Sequence, residues 1–329
     1  MKKSFFLITV FYLFFFSSNS FAFLDFVQEK DISSDTVHLR GVTFKPDGLR
    51  MYVTSDDSTP TVIEYSLTIP FDISTATKTS QTNLSVSGGA AMDKPHAIEF
   101  KPDGKVMYVI HSKSTKVGVE QYNLTTAWDT STLSYDTRLS ITNGSDVQIR
   151  ALAFKTDGTR VYIAQRDYGK VIQYDLTTPW DLSSATNQVE SNAFTGEENN
   201  LRNIQFSSDG TFMYLGGNGG DDINKYKLPT AWDISTITHE TTYSISSQTG
   251  EMRGFKFTAN FTKLYVTGDT ADSGAGTNVV YECSLACAGT ITCDPINDKD
   301  VTAIIEANVE LSKRIIQNIN LPIFHRMEW

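Results

Sequence analysis

Cysteine is absent from the first 282 residues and then appears three times, at Cys283, Cys287 and Cys293. A disulfide framework running through the fold is excluded, and three thiols with no nearby histidine do not make a zinc site. Histidine is nearly as scarce, and His38, His96, His111, His239 and His325 show no paired metal-ligand spacing. There is no Gly-x-Ser-x-Gly elbow and no phosphate-cradling Gly-Lys-Ser/Thr loop, so no local motif marks an enzyme; catalysis would need groups drawn from separate segments. These patterns call for no metal and no cofactor. Positive charge is short as well, with 28 Lys and Arg against 38 Asp and Glu. Such a balance repels polyanions and excludes general nucleic-acid binding. With 20% of residues charged and 40% hydrophobic, wholesale disorder is excluded too.

Residues 1–22 read as a secretory signal peptide. Met1-Lys2-Lys3 is a short cationic start, Phe5 to Phe16 is an apolar run without charge, and Ser20-Phe21-Ala22 supplies small residues for cleavage after Ala22. The run is shorter than the roughly 20 residues that span a bilayer. No stable membrane span is therefore expected after cleavage, and the protein is expected to be secreted, periplasmic or at the cell surface. Because the segment holds two lysines and no acid, its removal takes the net charge from -10 to -12.

The rest of the chain repeats itself. Gly41-Val-Thr-Phe-Lys-Pro-Asp-Gly48, Ala97-Ile-Glu-Phe-Lys-Pro-Asp-Gly104, Ala151-Leu-Ala-Phe-Lys-Thr-Asp-Gly158 and Asn203-Ile-Gln-Phe-Ser-Ser-Asp-Gly210 are one motif. A fifth copy, Gly254-Phe-Lys-Phe-Thr-Ala-Asn-Phe261, loses the Asp-Gly. The marker Phe44, Phe100, Phe154, Phe206 and Phe257 recurs at intervals of 56, 54, 52 and 51 residues, a period that signals propeller blades.

Within each unit a Tyr follows eight residues after the Phe, at Tyr52, Tyr108, Tyr162, Tyr214 and Tyr265, and the intervening turn chemistry makes a hairpin. A third strand ends in Glu64-Tyr-Ser-Leu67 and its equivalents, and a Ser/Thr-rich fourth strand follows an aromatic-Asp pair: Phe71-Asp72, Trp128-Asp129, Trp180-Asp181 or Trp232-Asp233. Those pairs are expected to pack between blades while the Asp caps a turn. Small residues at Gly41, Ala97, Ala151 and Gly254 fit the crowded innermost strand, and Asn203 is the exception.

The fifth unit stops at Glu282-Cys-Ser-Leu285, one strand short. Glu29-Lys-Asp-Ile-Ser-Ser34 leads to Arg40 as Thr242-Tyr-Ser-Ile-Ser-Ser247 leads to Arg253, so residues 26–34 are expected to supply the missing outer strand and latch the ring. The fold class is all-β: a five-bladed β-propeller over residues 23–294, with an N-terminal strand latch and a C-terminal amphipathic helix in the tail 295–329. That helix is read from Val301, Ile305, Val309, Ser312, Ile316, Ile319 and Ile323, which recur at spacings of three and four before or just past Pro322. Cys283 stands where the other units have Tyr and is expected to be a buried thiol. Export favours a Cys287–Cys293 disulfide, with Cys283–Cys293 as the competing pairing.

The Phe-x-Pro-Asp-Gly, Met51-Tyr-Val53 and Val62-Ile-x-Tyr-x-Leu67 series resembles bacterial secreted propeller repeats of the YVTN and lactonase-like kind, over residues 26–285. The resemblance implies a propeller. It also implies, as an alternative function, a lactonase-like or other small-molecule enzyme working at the central mouth, although such relatives usually have more blades than five.

Four residues before each marker Phe stands a cation or potential cation: Arg40, His96, Arg150, Arg202 and Arg253. In a propeller these positions open one mouth of the central channel. The functional reading is a site for a small anion, carboxylate, phosphate or acidic sugar, because Arg forks match such groups bidentately. The competing reading has each Arg pair with the neighbouring blade and tie the ring together. His96 is expected to titrate near 6.5. Loops opening on the same face add His111, Arg166 and Asp167 as secondary candidates. Acidic runs at Asp221-Asp222 and Asp269 to Asp272 lack the spacing of a calcium loop and read as solvated turns.

The sequence thus describes an exported recognition module whose partner at the channel mouth is a small anion, a glycan or a surface protein. A scaffold that self-associates through residues 298–323 is the remaining reading.

Overall fold

The computed structural model describes residues 22–86, 92–112, 117–141, 148–194, 198, 200–269 and 277–287. The chain opens with β1 (Ala22–Asp31). Blade 1 is β2 (Leu39–Phe44), β3 (Arg50–Ser55), β4 (Thr61–Ser66) and β5 (Thr77–Asn83). Blade 2 is β6 (Pro95–Phe100), β7 (Val106–His111), β8 (Gly118–Leu124) and β9 (Leu133–Ser140). Blade 3 is β10 (Ile149–Phe154), β11 (Arg160–Gln165), β12 (Lys170–Leu176) and β13 (Ala185–Glu190). Blade 4 is β14 (Leu201–Phe206), β15 (Phe212–Gly217), β16 (Asp222–Lys227) and β17 (Thr238–Ser244). Blade 5 combines β18 (Met252–Phe257), β19 (Lys263–Asp269) and β20 (Asn278–Cys287) with β1 as its outer strand. Every pairing is antiparallel, each inner strand packs on the next, and β18 meets β2 to close a five-bladed ring.

The latch lies where the repeat pattern places it, with two differences. It begins at Ala22, and it ends at Asp31 rather than residue 34. Asp31 accepts a hydrogen bond from the Ser33 amide at 2.8 Å, a local turn that takes the chain out of the ladder. Ile32 then turns inward and is buried.

Between blades the packing is one aromatic triad repeated five times. Tyr52 meets Phe100 and Trp128, Tyr108 meets Phe154 and Trp180, and Tyr162 meets Phe206 and Trp232. Tyr265 meets Phe44 across the closing seam, and Phe44 in turn meets Phe71. Tyr–Phe centroids lie 4.3 to 4.9 Å apart, within the range for favourable ring pairs. The hydroxyls of Tyr52, Tyr108, Tyr162 and Tyr265 also donate to the backbone carbonyl of the third aromatic, as Tyr52 does to Trp128 at 2.7 Å and Tyr162 to Trp232 at 2.7 Å. The aromatic-Asp pairs are therefore structural. Asp72, Asp129 and Asp181 each cap a short 3-10 turn by accepting from the amide two residues on.

The turn glycines and the aromatics depend on each other. Gly104 has φ 72°, and a Cβ there would stand 2.2 Å from Trp128; Gly158 and Gly210 are equally close to Trp180 and Trp232. Blade 5 has no such Trp, and Phe261 occupies the glycine position at φ 53° with its own ring stacked 5.0 Å from Tyr214. The two departures of the fifth repeat, loss of Asp-Gly and loss of Trp-Asp, are thus one compensated change.

At the axis, a Cβ on Gly41 would meet the His96 carbonyl at 2.5 Å, which shows why this column is small. Asn203 is accommodated because its amide donates to the Phe255 carbonyl of the next blade, and Gln205 adds a second bridge to Phe257 at 2.9 and 3.2 Å. Cys283 is a buried free thiol in the core between β19 and β1. The proposed C-terminal helix, Cys293 and the side chain of Cys287 lie outside the described residues. Among the described residues no helix is long and apolar enough to cross a membrane.

Candidate functional site

Each of the five inner strands carries a register break at its cation. The pairing skips from Ile149 to Ala151 around Arg150, from Leu201 to Asn203 around Arg202 and from Met252 to Gly254 around Arg253. In blades 1 and 2 it skips from Leu39 to Val42 and from Pro95 to Ile98, taking in Arg40 and His96. A bulge frees one residue from the ladder and re-aims its side chain. The same local device therefore presents all five ring residues.

A second column explains their partners. Sixteen residues past the cation, just beyond the second strand, stand Asp56, Ser112, Arg166 and Asn218. Arg40 donates to Asp56 at 2.9 Å, His96 hydrogen-bonds Ser112 at 3.0 Å, and Arg202 donates to Asn218 at 3.2 Å. Blade 3 breaks the rule, because its partner position holds a second cation, Arg166. Arg150 turns instead to Gln148 and to the His96 ring of blade 2. Arg166 donates to the same Gln148 at 2.8 Å and to Asn200 at 2.6 Å, while Asp167 lies 3.9 Å away. Arg253 is paired with Glu251. Most of these contacts stay within a blade, while Arg150 reaches His96 of blade 2 and Arg166 reaches Asn200 of blade 4.

Burial gives the arrangement its electrostatic character. Arg150 and Arg202 are each only 8% exposed, and neither is hydrogen-bonded to a carboxylate among the described residues. Burial pushes the Arg150 guanidinium down to about 9, with Arg202, Arg166 and Arg40 adding repulsion. Arg202 is pushed down to about 10 by burial and then by Arg253, Arg166 and Arg40, against the pull of Glu251. These mutual effects place the cations of different blades within electrostatic reach of one another. His96 is fully enclosed, and burial plus Arg150, Arg40 and Arg202 hold it well below its ordinary value. The expectation that His96 titrates near 6.5 is therefore corrected: it is a neutral ring at physiological pH.

His111 lies away from solvent. It contacts Glu120 at 2.8 Å, and Glu120 is also bonded to Arg138, making a sealed cluster inside blade 2. Of the acidic runs, Asp222 accepts from Asn224 at 2.7 Å and burial near Glu198 pushes it up to about 6. Residues 270–276 and the Asp269 side chain lie outside the described residues. Among the described residues no group of three or more His, Cys, Asp or Glu side chains is placed to hold a metal. Sequence reasoning missed Gln148, Asn200, Asn218 and Asp56 as partners of the ring, though two fixed offsets, two residues before and sixteen after each cation, contain them.

No family model matches the chain, and no curated protein matches it. Several solved structures align with most of the chain. A periplasmic gluconolactonase from Pseudomonas aeruginosa is 14% identical with TM-score 0.45, covering 73% of this chain and 70% of that one. A putative 6-phosphogluconolactonase from Bacteroides uniformis is 14% identical with TM-score 0.42, covering 74% and 70%. A luciferin-regenerating enzyme is 14% identical with TM-score 0.49, covering 80% and 97%. At these identities and scores the similarity is one of fold and carries no argument about ligand or reaction.

Proposed function

We propose that this propeller is an exported recognition module whose Arg/His mouth binds a small anion carrying a carboxylate, phosphate or sulfate group. The observation that supports the reading is blade 3. Where the other described blades place an acid or neutral acceptor beside the ring cation, this blade places Arg166 beside Arg150, within reach of Arg202. Buried cations without a bonded carboxylate cost free energy in the empty protein, and an anion that bridges them recovers it. An arginine fork supplies the directional donors such a ligand needs.

Binding rather than catalysis is favoured by the state of the histidines. His96 is a weak base at its depressed value, and His111 is committed to Glu120. A glycan or protein ligand enters the same reading through an acidic group.

Calorimetric titration of acetate, gluconate and sulfate into the wild type and into the Arg150→Gln, Arg202→Gln double variant tests it. Binding is expected in the wild type and at least tenfold weaker in the variant, a loss of about 1.4 kcal/mol or more. Equal binding by both proteins, or none by either, removes the basic mouth as a site.

A further inference from the structure

The opposite mouth of the channel, where the inner strands end at their marker Phe, is chemically unlike the basic one. A cavity of about 260 Å³ opens there among Phe44, Phe71, Phe100, Trp128 and Phe257, with Glu99 and Lys256 in its lining. Glu99 belongs to blade 2 and Lys256 to blade 5, and the two form an ion pair that reaches past the inner strand of blade 1. Other polar groups of the lining are bonded or buried. Gln205 is engaged with the Phe257 backbone in both directions, Thr43 is buried, and Lys45 pairs with Asp47 at 2.6 Å.

We propose that this cavity binds one small zwitterion, a free α-amino acid with an apolar side chain. The ion pair is about one-fifth exposed at each partner, 22% and 22%. Among the described residues it leaves Glu99 Oε2 and the remaining Lys256 N–H donors without a protein partner. A ligand carboxylate takes the lysine donors, its ammonium takes the free carboxylate oxygen, and four alternating charges close into a neutral square. A simple anion is opposed by Glu99 and a simple cation by Lys256, so a molecule bearing both charged groups on one carbon complements the pair best. The aromatic walls then bury the side chain, and Phe and Trp faces also attract the ammonium. The volume lies just below the usual range for drug-sized pockets, which fits one small molecule and excludes a folded partner.

The test follows tryptophan fluorescence, to which Trp128 of the cavity wall contributes, and calorimetric heat while leucine or phenylalanine is added to the unaltered chain. Saturable binding is expected. N-acetyl-leucine, which has lost the ammonium, and leucine amide, which has lost the carboxylate, are each expected to bind at least tenfold more weakly. Lys256→Met and Glu99→Gln are expected to show the same loss, whereas the Arg150→Gln, Arg202→Gln double variant keeps leucine affinity. The capped ligands need no variant, so the comparison decides even if a substitution impairs folding. Equal affinity for capped and free amino acids, preference for glucose or sulfate, or no binding at all overturns the proposal. Failure here leaves the basic mouth untouched, because the ligands and the residues differ.

Discussion

Phe261 takes a backbone conformation that costs a non-glycine residue about 1–2 kcal/mol, and it does so because its ring fills the space that Trp128, Trp180 and Trp232 fill elsewhere. Phe261→Ala keeps the strained backbone and deletes the ring from the contact with Tyr214 and Phe257. It is expected to lower unfolding free energy by about 2–4 kcal/mol in denaturant titration, and Phe261→Gly by less, since glycine relieves the strain. Wild-type stability in Phe261→Ala contradicts this account. Both departures of the fifth repeat were visible in its sequence, but their connection was not, because glycine and its aromatic are separated by a whole strand pair. The same limit applies to His96. Its place in the cation series was legible, while its neutrality comes from enclosure by Arg150, Arg40 and Arg202, which only the closed ring creates.

Strands and turns were the most readable level. The Asp-Gly turns and the eight-residue offset from Phe to Tyr located the inner hairpins, and the missing fourth strand of the last unit located the latch. What the repeat did not reveal was the bulge at each cation, because a register break depends on cross-strand pairing rather than on the local residues. β1 pairs along β20 from Ala22 to Asp31 and covers what is otherwise an open edge. Deletion of residues 24–34 is expected to abolish the single cooperative thermal transition followed by circular dichroism, since blade 5 then exposes β20 and the core beneath it. An unchanged transition after deletion shows that closure does not depend on this strand.

Across the whole molecule, charge is sorted rather than balanced. The chain carries a net charge of -10, yet Arg40, Arg150, Arg166 and Arg202 meet at one mouth and repel one another there. Acidic surface elsewhere keeps long polyanions away while a small anion is still accepted at the axis. The sign of the pH effect follows. A base whose folded value falls to about 9 or 10 is protonated in both states below that, so its burial penalty is constant there. Above it the native state releases the proton first, and this contribution to stability rises with pH up to the ordinary arginine range. Anion binding runs the other way, because it needs the charged form. The most direct measurement is a calorimetric titration with sulfate, whose own charge is constant, at intervals from pH 6 to 11. Affinity is expected to stay flat from pH 6 to 8, because His96 does not titrate there and both guanidiniums stay charged, and to weaken only on the alkaline side, where burial and mutual repulsion favour loss of the Arg150 and Arg202 protons. Absence of binding at neutral pH, or an affinity that changes between pH 6 and 8, contradicts the basic mouth as an anion site.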